Sequence, residues 1–114
     1  GLPIEAWLVT PAFDFDTPKM MSFESAMAFY DHDGLSVWIS FDFECDVTEA
    51  NWVQLDVPLA GQSDGDHNWV PTGTIDLSAF SGNGTAVIGF KYEGQGPEDL
   101  ATSYRLDNIV VEDL

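Results

Sequence analysis

The residues of this chain best suited to chemistry fall into two sets, paired carboxylates in loops and tryptophans on strands. Asp31-His32-Asp33-Gly34 and Ser63-Asp64-Gly65-Asp66 each place two carboxylates one residue apart. Calcium takes about six to eight oxygen ligands from carboxylates and carbonyls, so Asp31 and Asp33 are candidate ligands. Neither loop has the long D-x-D-x-D-G spacing closed by Glu, which excludes an EF-hand. The same spelling suits a plain tight turn, with Asp capping and Gly taking positive φ. Both readings stand on the residues alone.

Catalysis finds less to work with. His32 and His67 lie in Asp- and Gly-rich stretches, and no serine sits in a G-x-S-x-G setting. With twenty acidic residues, closeness of two carboxylates in sequence says nothing about an acid/base pair. Cys45 stands between Glu44 and Asp46, whose charge disfavours a thiolate nucleophile. It reads as an ordinary strand-end cysteine, and as the sole cysteine it forms no intrachain disulfide. An enzyme is not expected.

Sugar binding needs a flat ring for C–H faces beside polar partners for hydroxyls. Trp38, Tyr30 and Trp52 fall opposite bulky apolar positions in their strands, and Arg105 and Lys91 share the outward parity. These five residues are the candidate glycan surface. Trp7 and Trp69 read instead as cover for a second packed layer or a subunit contact.

The elements that must position these groups are strands. Apolar period is two almost throughout: in LSVWISFDF, Leu35, Val37, Ile39, Phe41 and Phe43 face one way and Ser36, Trp38, Ser40 and Asp42 the other. Further strands are expected near 6–9, 20–30, 51–57, 73–77, 85–92 and 103–111, with LSAF (77–80) as a single helical turn. Gly, Pro and Asp clusters separate them, the spacing of an antiparallel sandwich. At 114 residues the chain is read as one domain, 1–114, and its 45% hydrophobic content with fifteen aromatics requires a folded core. Twenty acidic residues against Lys19, Lys91 and Arg105 give a net charge of -17, which argues against nucleic acid and anionic membrane surfaces as partners. No stretch is apolar for long enough to insert in a membrane.

Six words occur in order along nearly the whole chain: WLVTPAFDF (7–15), SFESAMAFYDHDGLSVWIS (22–40), the W…L run at 52–55, WVPTGTIDLSAFSG (69–82), VIGFKYEG (87–94) and YRLDNIVV (104–111). Together they resemble the cleaved-adhesin and choice-of-anchor J type domains of secreted bacterial proteins, relatives of MAM and galactose-binding jelly rolls. The resemblance implies an all-β antiparallel jelly-roll sandwich, extracellular or at the cell surface, that supports binding or adhesion without catalysis. It also implies a structural calcium held by an acidic residue of the last strand, which would be Asp107. Strand parity adds Glu24 on the same outward face. The competing reading is an electrostatic pairing in which Arg105 and Lys91 neutralise Glu24, Asp107 or Asp42.

Such domains carry strands ahead of the W-L-V-T-P word, whereas six residues precede Trp7 here. The sheet is therefore expected either to lack or share an N-terminal edge strand, or to close with residues 1–7 themselves. An open edge invites a strand from another chain. The functional expectation is an accessory module for polysaccharide or cell-surface glycan. Its alternative is a fibre subunit that assembles with copies of itself by strand donation. In YRLDNIVV, Leu106 and Val110 are expected to face the core and Arg105 and Asp107 the opposite side.

Overall fold

The computed structural model describes residues 2–30, 32–96 and 102–114. Nine strands and two short 3-10 turns occupy them: β1 Leu2–Val9, β2 Phe13–Asp14, β3 Lys19–Ala28, β4 Leu35–Ser40, β5 Val53–Leu55, β6 Val70–Pro71, β7 Ile75–Asp76, β8 Thr85–Gly96 and β9 Ser103–Asp113. One turn, Ser78–Phe80, falls within the expected LSAF stretch, and the other covers Gln62–Asp64. The protein is an all-β antiparallel sandwich.

The first sheet has the order β1-β8-β4-β5, with β2 extending β8 beyond β1. The second is built on β3, flanked by β9 on one side and by β6 and β7 on the other. Among the described residues, β4 and β5 are the only consecutive strands that are hydrogen-bonded neighbours. Five of the eight connections between the described strands cross from one sheet to the other, the interleaving expected of a jelly roll.

Alternation dictates what each sheet buries. Val37 and Ile39 of β4 and Ile88 and Phe90 of β8 meet Met21 and Phe23 of β3 in one core, with Phe15 and Leu77 closing it. Phe23 and Phe90 touch edge to face across the sheets at 5.2 Å. Ser25 is buried, as are the polar Ser40 and Thr102, and its hydroxyl accepts the Ala60 amide at 2.9 Å, which offsets the cost of burying it.

Two parity expectations fail for backbone reasons. β4 ends at Ser40, so Phe41 packs against Phe15 and Phe80 while Phe43 turns out to Trp52 on the opposite side. Cys45 accordingly lies exposed in the following loop and not at a strand end. In β9, the ladder with β3 slips between Ser22 and Glu24, where Asn108 adopts φ 54°. This bulge reverses the side-chain order. Ile109 and Val111 then pack on the core, and Val110 points outward, contrary to the expectation.

The first residues pair within their own sheet: β1 runs antiparallel to β8 from Leu2↔Gly96 to Val9↔Gly89. They close the first sheet but not the sandwich, because β1 and β9 are both edge strands with a cleft between them. That cleft holds about 510 Å³, lined by Ala6, Leu8, Phe90, Tyr92, Tyr104 and Leu106 among others. Leu8 shares its face with buried Phe90, yet is 55% exposed.

Candidate functional site

On the outer face of the first sheet, cross-strand register sets Trp7 beside Lys91 and Lys91 beside Ser36, with Gly89 between Val9 and Trp38 in the next row. Gly89 is what lets aromatic rings lie on the backbone here. A Cβ at that position would stand 2.9 Å from ring carbons of both Trp7 and Trp52. Trp52 arrives from the loop ahead of β5 and stacks on Trp7 with centroids 4.7 Å apart. Lys91 lies between two indoles, its Nζ 5.5 Å from the Trp7 ring centre and 5.6 Å from that of Trp38. Glu5 and Glu93 approach the same ammonium at 3.7 and 3.4 Å.

Hydrogen bonds fix the rings. The indole N–H of Trp7 donates to Glu5, that of Trp38 to the Ser36 hydroxyl at 2.8 Å, and that of Trp52 to the Val47 carbonyl at 3.0 Å. The Trp52 loop is closed by Asp42. Its carboxylate accepts the Asn51 backbone and side-chain amides at 2.8 and 2.6 Å and the Ser40 hydroxyl at 2.7 Å. These donors, the Asn51 backbone N–H foremost, hold the Asp42 carboxyl below its ordinary range.

Of the five expected glycan residues, the structure brings together Trp38, Trp52 and Lys91, and it adds Trp7. Arg105 lies on the other sheet, where its guanidinium rests 5.2 Å from the Trp69 ring centre and donates to His67 Nδ1 at 3.1 Å. Tyr30 sits at the end of the sandwich, its hydroxyl donating to Asp33 at 3.1 Å. That bond is the main reason its phenol is held above the ordinary value. Trp7 was legible as an outward position from the alternation of β1; what hid its role was Gly89, whose missing side chain matters only once β1 and the Trp52 loop are seen to converge on it.

The same corner shows what Asp33-Gly34 does. Gly34 is buried and is not among the positive-φ glycines, contrary to the turn expectation. It is needed for space, since a Cβ would meet the Glu93 carbonyl at 2.7 Å. Its N–H donates to the Tyr104 hydroxyl at 3.1 Å, while the His32 N–H donates to Thr102 at 2.9 Å. Burial is the first cause raising the Tyr104 phenol above its ordinary value. Gly65 does take the expected positive φ, at 75°.

Glu24 and Asp107 are direct partners across β3 and β9, on one outward face as parity required. Their oxygens are engaged by Asn108, whose side-chain amide donates to Glu24 and whose backbone N–H donates to Asp107 at 2.8 Å. The expected neutralisation by Arg105 or Lys91 does not form, since Arg105 turns to Trp69 and Lys91 belongs to the other sheet. Among the described residues no group of three His, Cys, Asp or Glu comes together to hold a metal ion. Asp31 lies outside the described residues. No helix among them is long and apolar enough to cross a membrane. No protein-family model matches the chain, and no curated protein matches it.

Proposed function

We propose that the protein is a noncatalytic binding module that engages polysaccharide through the outer face of its first sheet, in the setting of a secreted or surface bacterial protein. The observation that carries this reading is the set of three indoles gathered around Lys91 and Gly89 on the face turned away from the core. Indole faces supply the platform for sugar C–H groups, and Ser36, Gln54 and the rim carboxylates of Glu5 and Glu93 supply polar partners for hydroxyls. The extracellular setting rests on the resemblance of the sequence words. Retention on glycan arrays and insoluble polysaccharides is the test: Trp38→Ala should abolish retention while the melting curve stays cooperative. A module that binds no glycan, or whose retention ignores Trp38, ends this reading.

A second reading is favoured by the cleft between β1 and β9. Among the described residues its two borders pair with no further strand, and apolar side chains turned toward the interior remain exposed within it, as a strand-accepting fibre subunit requires. In the conformation described, residues 2–9 are committed to β8 and do not themselves serve as a donated strand. Long assemblies in solution that bind no glycan would select this reading over the first.

A further inference from the structure

Arg105 stands apart from the two lysines. Lys19 pairs with Asp113, and Lys91 with Glu5 and Glu93, whereas among the described residues Arg105 contacts no carboxylate. This happens in a chain with twenty acidic residues, and with Asp107 two positions away. One of its five N–H donors is used, on His67. The guanidinium plane is backed by Trp69, which is 41% exposed.

The surroundings extend the array. The His67 ring meets Phe29 edge to face at 6.3 Å, and Phe29 is 70% exposed. Both residues hold positive φ, 62° and 55°, a conformation that residues with side chains keep only where their surroundings over-determine it. The His67 N–H donates to the Met27 carbonyl at 2.7 Å, which pins the loop to the end of β3. Strain, exposed rings and an unneutralised cation thus coincide on the outer face of the second sheet.

We propose that Phe29, His67, Trp69 and Arg105 form a second binding site, for a saccharide residue bearing a carboxylate, such as a uronate. This rests on the reading of the protein as a saccharide binder but uses the opposite face of the sandwich. The guanidinium fork matches a planar carboxylate, and the Trp69 and Phe29 rings offer faces for the sugar ring. The net charge of -17 repels a polyanion, so the fitting ligand is a single acidic sugar at a chain end or within a neutral chain.

Titration of the protein with methyl glucuronide, methyl glucoside and acetate, followed by NMR of the Arg105 Nε–H and Trp69 indole signals, tests this. The glucuronide should give saturable shifts at least about tenfold tighter than either other probe. Arg105→Gln and Trp69→Ala should each abolish them with unchanged melting, and Trp38→Ala should leave them intact. Equal binding of glucoside, equal binding of acetate, or indifference to Arg105→Gln each overturns the proposal. Loss of neutral-glycan retention with the glucuronide response kept would sink the first-face reading alone.

Discussion

Asn108 holds a left-handed backbone conformation and with it satisfies two carboxylates. Its φ of 54° makes the β9 bulge, and its two N–H groups serve Glu24 and Asp107. Asn tolerates this conformation better than other residues with a side chain. Asn108→Ala should lower stability in urea by about 1–2 kcal/mol, and Asn108→Gly by less, since Gly relieves the backbone but still loses the amide. An Ala variant as stable as the parent would mean the bulge does not depend on this residue. Asp42 gives a prediction with a pH sign. Its folded-state pKa is lowered, so its contribution is present above the unfolded value, near 3.9, and is lost as pH falls through the folded one. The near-ultraviolet signal of the stacked Trp7 and Trp52 should therefore hold at pH 5 and above and fade below about pH 4. In Asp42→Asn it should be weaker throughout and lose that step; an identical acid limb in both proteins refutes the assignment.

At the level of elements, β9 and residues 5–9 of β1 differ from the strands beside them in how little they bury. β8 has five consecutive buried residues, 86–90, because its inner face meets the core while the indoles lie over Gly89 on its outer face. β9 has none in eleven residues, although Tyr104, Leu106, Ile109 and Val111 all turn inward. The open cleft accounts for the difference: a strand at the rim has apolar neighbours on one side only. Leu8→Lys should accordingly shift stability by less than about 0.5 kcal/mol, the ordinary range for an exposed position. Ile88→Ala, in the filled centre, should cost about 2–5 kcal/mol. If Leu8→Lys also stops concentration-dependent assembly, measured by light scattering, the cleft is where copies meet; a large loss of stability instead would mean that the cleft is closed in solution.

The whole molecule is governed by its charge. With -17 spread over 114 residues and few cations to offset it, the compact state carries strong self-repulsion. Raising sodium chloride from about 10 mM to about 150 mM shrinks the screening length from roughly 30 to roughly 8 Å, so the melting temperature should rise steadily over that range. A flat response would mean that the acidic groups are neutralised locally, for instance by bound cations. The same repulsion acts against copies approaching through their acidic rims, which weighs against self-assembly at low salt and makes the oligomeric state worth measuring across the same series.

Strand alternation and turn residues were enough to read an antiparallel sandwich, seven of the nine strands, and the outward placement of Trp38, Arg105, Asp107 and Glu24, because a period of two and a Gly- or Asp-rich turn are local properties of the chain. The two-residue strands β2 and β6 left no periodic signal to read. Parity also breaks wherever the backbone changes hand, as at Asn108, or where a strand stops early, as at Ser40, and neither event is written in apolar spacing. Which outward residues meet was decided by tertiary structure alone. Trp7, Trp52 and Gly89 come from three distant segments, and Arg105 found Trp69 and His67 and not the carboxylates beside it, because sheet membership and loop closure depend on long-range pairing that no short window of sequence contains.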